Sequence, residues 1–170
     1  LQKRVEFALA DQAGVPERSV PSAGQVFAAY ARFESPLQAL DTSDARERWL
    51  AWARSLGQAD GKTGPSAASK MLDALECADL RRRFDGLRKA LFVNDADRLN
   101  KHLSKLPAAQ AAEAELQPLC AALAQHVAWQ HQQRMTRLAR LALAEFAALK
   151  RERGWVDMGD LERAALTLLA

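Results

Sequence analysis

Between Leu119 and Arg153 this chain of 170 residues has neither proline nor glycine, and that interval limits its fold more than any other. Alanine and leucine dominate the interval and β-branched residues are sparse, which favours helix over strand. As one helix, residues 119–153 would run about 52 Å at 1.5 Å per residue. Lys150, Arg151 and Arg153 fall in the last turn, where cations suit the negative end of the helix dipole. Gly154 suits the left-handed position just past the helix. Pro118 either opens this helix or kinks it.

The remaining segments also read as helices. One helix over 1–13 stops at Gly14, and another runs from Ser22 or Ala23 to about Phe33. Asp44 and Glu47 suggest a capping box. Trp49, Trp52, Ala53 and Leu56 then follow i, i+3, i+4, i+7 and mark a buried face. Pro65 suits the first turn of a helix carrying Met71, Leu72 and Leu75. Asp79 caps a further helix whose stripe is Leu80, Phe84, Leu87 and Leu91. Leu91–Val93 reads as a short extended piece, 94–97 as a turn, and 98–106 as either a short helix or a loop. The expected fold class is all-α, an irregular multi-helix domain with one long helix at about 119–153.

After Gly154 a new helix start is well specified. Asp157 is the expected N-cap, with Asp160 at N3 and a staple between Val156 and Leu161. Both aspartates are explained by capping and need no catalytic role.

The charge is unevenly spread. Residues 1–76 hold 9 Lys/Arg against 10 Asp/Glu, and residues 77–170 hold 15 against 11, which together give the net +3. The densest basic run is 81–105, with Arg81, Arg82, Arg88, Lys89, Arg98, Lys101 and Lys105 as candidate polyanion contacts. Arg134, Arg137 and Arg140 form a second, looser set at i, i+3, i+6. Solvated helix faces would produce the same pattern.

No catalytic constellation emerges. Gly57–Thr63 resembles a phosphate-binding Walker loop, but three residues separate its glycines where the motif needs four, and a helix precedes it rather than a strand. His126 and His131 are five residues apart and share no helix face, and Cys77 and Cys120 have no metal spacing. No metal or cofactor site is expected within these residues. Two cysteines surrounded by Ala and Leu read as buried free thiols, which fits a reducing, cytoplasmic setting. No run is long and apolar enough for a membrane span.

The residues Lys150-Arg-Glu-Arg-Gly154, followed by Trp155-Val156-Asp157-Met158-Gly159-Asp160-Leu161, carry a resemblance. A long helix ending in Lys-x-x-x-Gly, then two apolar residues and Asp-Phe-x-Asp-Leu, resembles the segment before the second ATPase motif of UvrD-like (superfamily 1) DNA helicases. The likeness is closest to the RecB/AddA-type helicase–nuclease branch. It is clearest over 119–170 and extends to 66–106. Gly154, Asp157, Asp160 and Leu161 keep the family pattern, and Met158 stands where Phe is usual.

The resemblance implies that 1–156 is the inserted helical subdomain called 1B and that 157–170 starts the helix returning to the motor. Both ends then read as boundaries within a longer chain. It further implies DNA as a partner without sequence preference, the remaining helicase domains of the parent chain, and a second helicase–nuclease subunit. ATP and Mg would belong to the parent only. The alternative is a helical protein-interaction module whose basic surface meets an acidic partner.

Overall fold

The computed structural model describes residues 20–93 and 98–169. Among these there are six α-helices, three short 3-10 helices and no strand. The α-helices are α1 (Ala23–Val26), α2 (Ser43–Gly57), α3 (Thr63–Glu76), α4 (Leu80–Leu91), α5 (Pro107–Arg153) and α6 (Met158–Leu169). The 3-10 helices are Ala28–Tyr30, Pro36–Asp41 and Leu103–Lys105. The all-α expectation is met. The expected helix over 1–13 and the turn at 94–97 lie outside the described residues.

The chain divides into two compact units, Pro21–Val127 and a second formed by Leu1–Val20 with Ala128–Ala170. In the first, α2 packs on α3 and α3 on α4. Trp49, Leu56, Met71, Leu87, Leu91, Leu103, Leu116 and Leu119 are almost completely buried there. Trp49 and Trp52 meet edge to face at 5.1 Å, with Trp49 buried and Trp52 half-buried. The indole N–H of Trp49 still finds a partner, donating to Glu115 Oε1 at 3.0 Å while Arg48 Nε donates to Oε2 at 3.1 Å. A buried indole left without an acceptor would lose part of what its burial gains.

Three local readings differ from the structure. Asp44 does not cap α2. Thr42 does, its Oγ1 accepting from Ala45 N at 3.3 Å, because the extended backbone lies at Thr42 and Asp44 already sits in the first turn. The helix expected to reach Phe33 ends at Val26. Ser22 and Gln25 form its capping box, and Gly24 lets Ala31 approach so closely that a Cβ there would lie 2.8 Å from Ala31 Cα. The long helix starts at Pro107, with Pro118 inside it. Pro118 and Ala114, whose carbonyl the proline leaves without its helical donor, are both exposed, so water can satisfy that oxygen. Ala109, Ala112, Leu116, Leu119, Leu123 and His126 continue one buried face through the proline.

Other expectations hold. Asp79 caps α4 by accepting from Arg82 N at 2.8 Å. The extended piece expected at 91–93 starts one residue later, since Leu91 still belongs to α4: Phe92 and Leu99 form an isolated antiparallel bridge, with Val93 N donating to Arg98 O and Asn100 N to Leu91 O, both at 3.0 Å. Gly86 in α4 faces Ala74 in α3, where a Cβ would stand 2.7 Å from the alanine Cβ. One expectation fails: Cys77 and Cys120 form no disulfide, but both are half-buried rather than buried.

In the second unit, α5 ends in a Schellman turn. Gly154 has φ +61° and Trp155 N donates to Lys150 O at 2.9 Å. Asp157 and Asp160 then form the expected reciprocal cap, at 3.0 Å from Asp160 N to Asp157 Oδ1 and 3.2 Å from Asp157 N to Asp160 Oδ2. Lys150 pairs with both, reaching Asp157 Oδ2 at 2.8 Å and also bonding Asp160. Val20 N donates to Gln132 Oε1. Val156 and Leu161 remain more than half exposed.

Candidate nucleic-acid interface

The first unit holds the denser set of cations, and the structure sorts them by what they already contact. Arg81 lies at the start of α4, where its Nε donates to Asp85 Oδ2 at 3.2 Å and its guanidinium sits over the Phe84 ring. Arg82 is exposed and unpaired among the described residues. Arg83, which the run of three arginines places among the basic residues, is buried instead. Its Nη1 donates to Leu40 O at 3.2 Å and Asp41 Oδ1 at 2.9 Å, and its Nε donates to Cys77 O at 3.1 Å. It therefore ties the 36–41 turn to α4 and is not available to a ligand.

At the other end of α4, Arg88 is half-buried and already engaged, whereas Lys89 is exposed. Arg98, Lys101 and Lys105 are exposed and have no carboxylate partner among the described residues. Lys101 and Lys105 flank Leu103, which anchors the short 3-10 helix in the core.

Between the end of α4, residues 91–93 with Asn100, the 103–105 turn and the start of α3 lies an open cleft of about 540 Å³. Its polar lining is Lys62, Thr63, Ser66, Lys70, Lys89 and Asn100, and its apolar lining includes Ala67, Ala90, Leu91, Phe92 and Leu103. The structure thus joins Lys89 to Lys62 and Lys70, two cations that the charge map passes over because residues 1–76 are nearly neutral overall. A finer signal was present: Lys62, Ser66 and Lys70 recur at i, i+4, i+8, one stripe of a helix. Lys62 precedes α3 without a side-chain cap for that helix. The Walker-like segment 57–63 connects α2 to α3, with Gly61 at φ +90°, so a helix rather than a strand precedes it.

The second set, Arg134, Arg137 and Arg140, belongs to the other unit. All three are exposed and line one shallow groove along α5 with Gln133, Thr136 and Leu141. Of the motif residues, Gly154, Asp157 and Asp160 build the elbow between α5 and α6, and Leu161 is 55% exposed. His126 is buried on α5, while His102 and His131 are exposed. Among the described residues no group of three or more His, Cys, Asp or Glu could hold a metal ion, and no helix is long and apolar enough to cross a membrane. Comparison with protein-family models, with curated proteins and with solved structures finds no match for this chain.

Proposed function

We propose that this chain is an accessory DNA-contacting domain that grips phosphates without reading sequence and serves an ATP-dependent helicase of the UvrD-like kind. The observation that carries the reading is the group of exposed cations without carboxylate partners among the described residues: Arg82, Lys89, Arg98, Lys101 and Lys105. Cations already paired with carboxylates have less to gain from a phosphate, and these are not so paired. Phosphate contacts position a nucleic acid but carry no base information, so such a surface binds without sequence preference. ATP, Mg and the unwinding step belong, in this reading, to the parent motor and not to these residues. A cytoplasmic setting belongs to the same proposal.

The test is fluorescence anisotropy with short single-stranded and duplex DNA across a salt series. Each lost phosphate contact flattens the plot of log affinity against log salt by about 0.7 on single strands and 0.9 on duplex. Reversing charge at Arg98, Lys101 and Lys105 together should lower both affinity and slope. No binding even at low salt would count against the reading.

A second reading has its own observation. In the other unit Met135, Leu138, Leu141, Phe146 and Leu149 are each between 36% and 59% exposed on α5. Apolar side chains left open at helical spacing suit a protein surface. That favours a contact with the remaining helicase domains or with a partner subunit, and it is compatible with DNA bound on the first unit.

A further inference from the structure

We propose that the cleft framed by Lys62, Lys70 and Lys89 is a phosphate pocket that seats one backbone phosphate, with its sugar, of a nucleic-acid strand. The inference rests on the DNA-contacting reading and moves its centre away from the residues that the charge map selects.

Three lysines line the cleft from three places: ahead of α3, its second turn, and the end of α4. None has a carboxylate partner, and no carboxylate lines the cleft among the described residues. Bringing like charges together is unfavourable until an anion joins them. Thr63 and Ser66 add hydroxyls and Asn100 adds an amide, the neutral donors that a phosphate oxygen accepts from. The uncapped start of α3 adds a favourable dipole on the same side. Leu91, Phe92 and Leu103 are buried beneath and hold the lining in place. The volume, about 540 Å³, falls within the ~300–1,000 Å³ of small-ligand sites and exceeds what a bare phosphate fills. A phosphodiester with its sugar uses that space. Lys101 and Lys105 stand on the segment that forms one wall, where the next phosphates of a strand would pass.

The experiment uses the whole chain and two charge-matched pairs, Lys62→Gln with Lys70→Gln, and Arg46→Gln with Arg54→Gln as the control. All four side chains are exposed, so folding should survive. The first readout is the salt dependence of affinity for a labelled oligo-dT. The second is movement of the Thr63, Ser66 and Asn100 backbone amide resonances on adding oligo-dT or, separately, inorganic phosphate. The expected result is a slope flatter by about 0.7, the one phosphate that the cleft neutralises, in the cleft pair only. The three amides should move with oligo-dT. If inorganic phosphate moves them and oligo-dT does not bind, the pocket stands with a free phosphate as its source, and the DNA reading fails. If oligo-dT binds, the two pairs behave alike and the amides stay still, the pocket is overturned while the DNA reading survives. If neither ligand acts, both are overturned.

Discussion

Arg83 shows how a single residue can belong to a basic run and yet serve only the core. Its neighbours Arg81 and Arg82 are exposed, but Arg83 lies three residues after Leu80 and four before Leu87, on the edge of the buried stripe of α4. Its position on the helix was therefore legible in the spacing, while the run of three arginines obscured it. The stem packs, and the guanidinium satisfies two backbone carbonyls and Asp41. Replacing it by Met keeps the apolar stem and removes every donor. Arg83→Met should lower the free energy of unfolding by about 1–3 kcal/mol, since buried acceptors would lose their partners. Asp41 is 61% exposed on its side chain and would be hydrated, which keeps the loss from being larger. Urea denaturation measures the change, and DNA affinity should be unaltered. A normal midpoint with weakened DNA binding would reverse the assignment. Lys62 illustrates the opposite case. Its segment looks like a defective nucleotide loop, and only the tertiary position of α4 shows which other lysine it faces.

At the level of elements, the elbow between α5 and α6 was readable almost residue by residue. Gly at the left-handed position and Asp at both N-cap and N3 are local devices that need no tertiary context. What spacing did not show is that Lys150 reaches forward across the turn to both aspartates. The start of α5 was less legible for the same kind of reason. Pro107 and Pro118 are both valid first-turn prolines, and the choice lay with Ala109 and Ala112, whose burial carries the apolar face upstream of Pro118. The elbow has a pH window set by its ion pairs. The hydrogen bond from Lys150, aided by the Asp160 backbone N–H, holds the Asp157 carboxyl below its usual range, and the same two aspartates push the Lys150 ammonium up. A lowered carboxylate stabilises the folded elbow above its ordinary value near pH 4, and that contribution is lost as pH falls through the lowered value. A raised ammonium stabilises it below about pH 10, and that contribution is lost as pH rises through the raised value. The elbow should thus hold between these limits and loosen outside them. NMR shifts of the Asp160 and Trp155 amides should stay flat from about pH 5 to 9 and move on further acidification. In Lys150→Met the acid-side movement should begin at higher pH. Identical profiles for the two proteins would remove Lys150 from the account.

Across the whole molecule, α5 runs through both units but is buried in different ways along its length. From Ala109 to His126 one face is enclosed, whereas Met135, Leu138, Leu141, Phe146 and Leu149 remain open. The apolar spacing of α5 is similar in both stretches, and that is why the difference was not legible: periodicity says which side of a helix is apolar, not whether anything covers it. Hydrogen exchange reports coverage directly, because amides under a buried face open only with the core while those of an uncovered helix open locally. Amides of 112–123 should therefore exchange at rates close to global unfolding, and those of 138–149 markedly faster. Equal protection along α5 would show that the second stretch is as firmly held as the first. The same measurement separates the two functional readings. A protein partner seated on Leu138, Leu141, Phe146 and Leu149 should slow exchange across 138–149 and leave 112–123 unchanged. DNA held by Lys62, Lys70 and Lys89 should instead slow the first turns of α3 and the 98–105 segment. If adding DNA protects 138–149 while the α3 start stays unaffected, the strand runs along Arg134, Arg137 and Arg140, and the cleft of the first unit is not its seat.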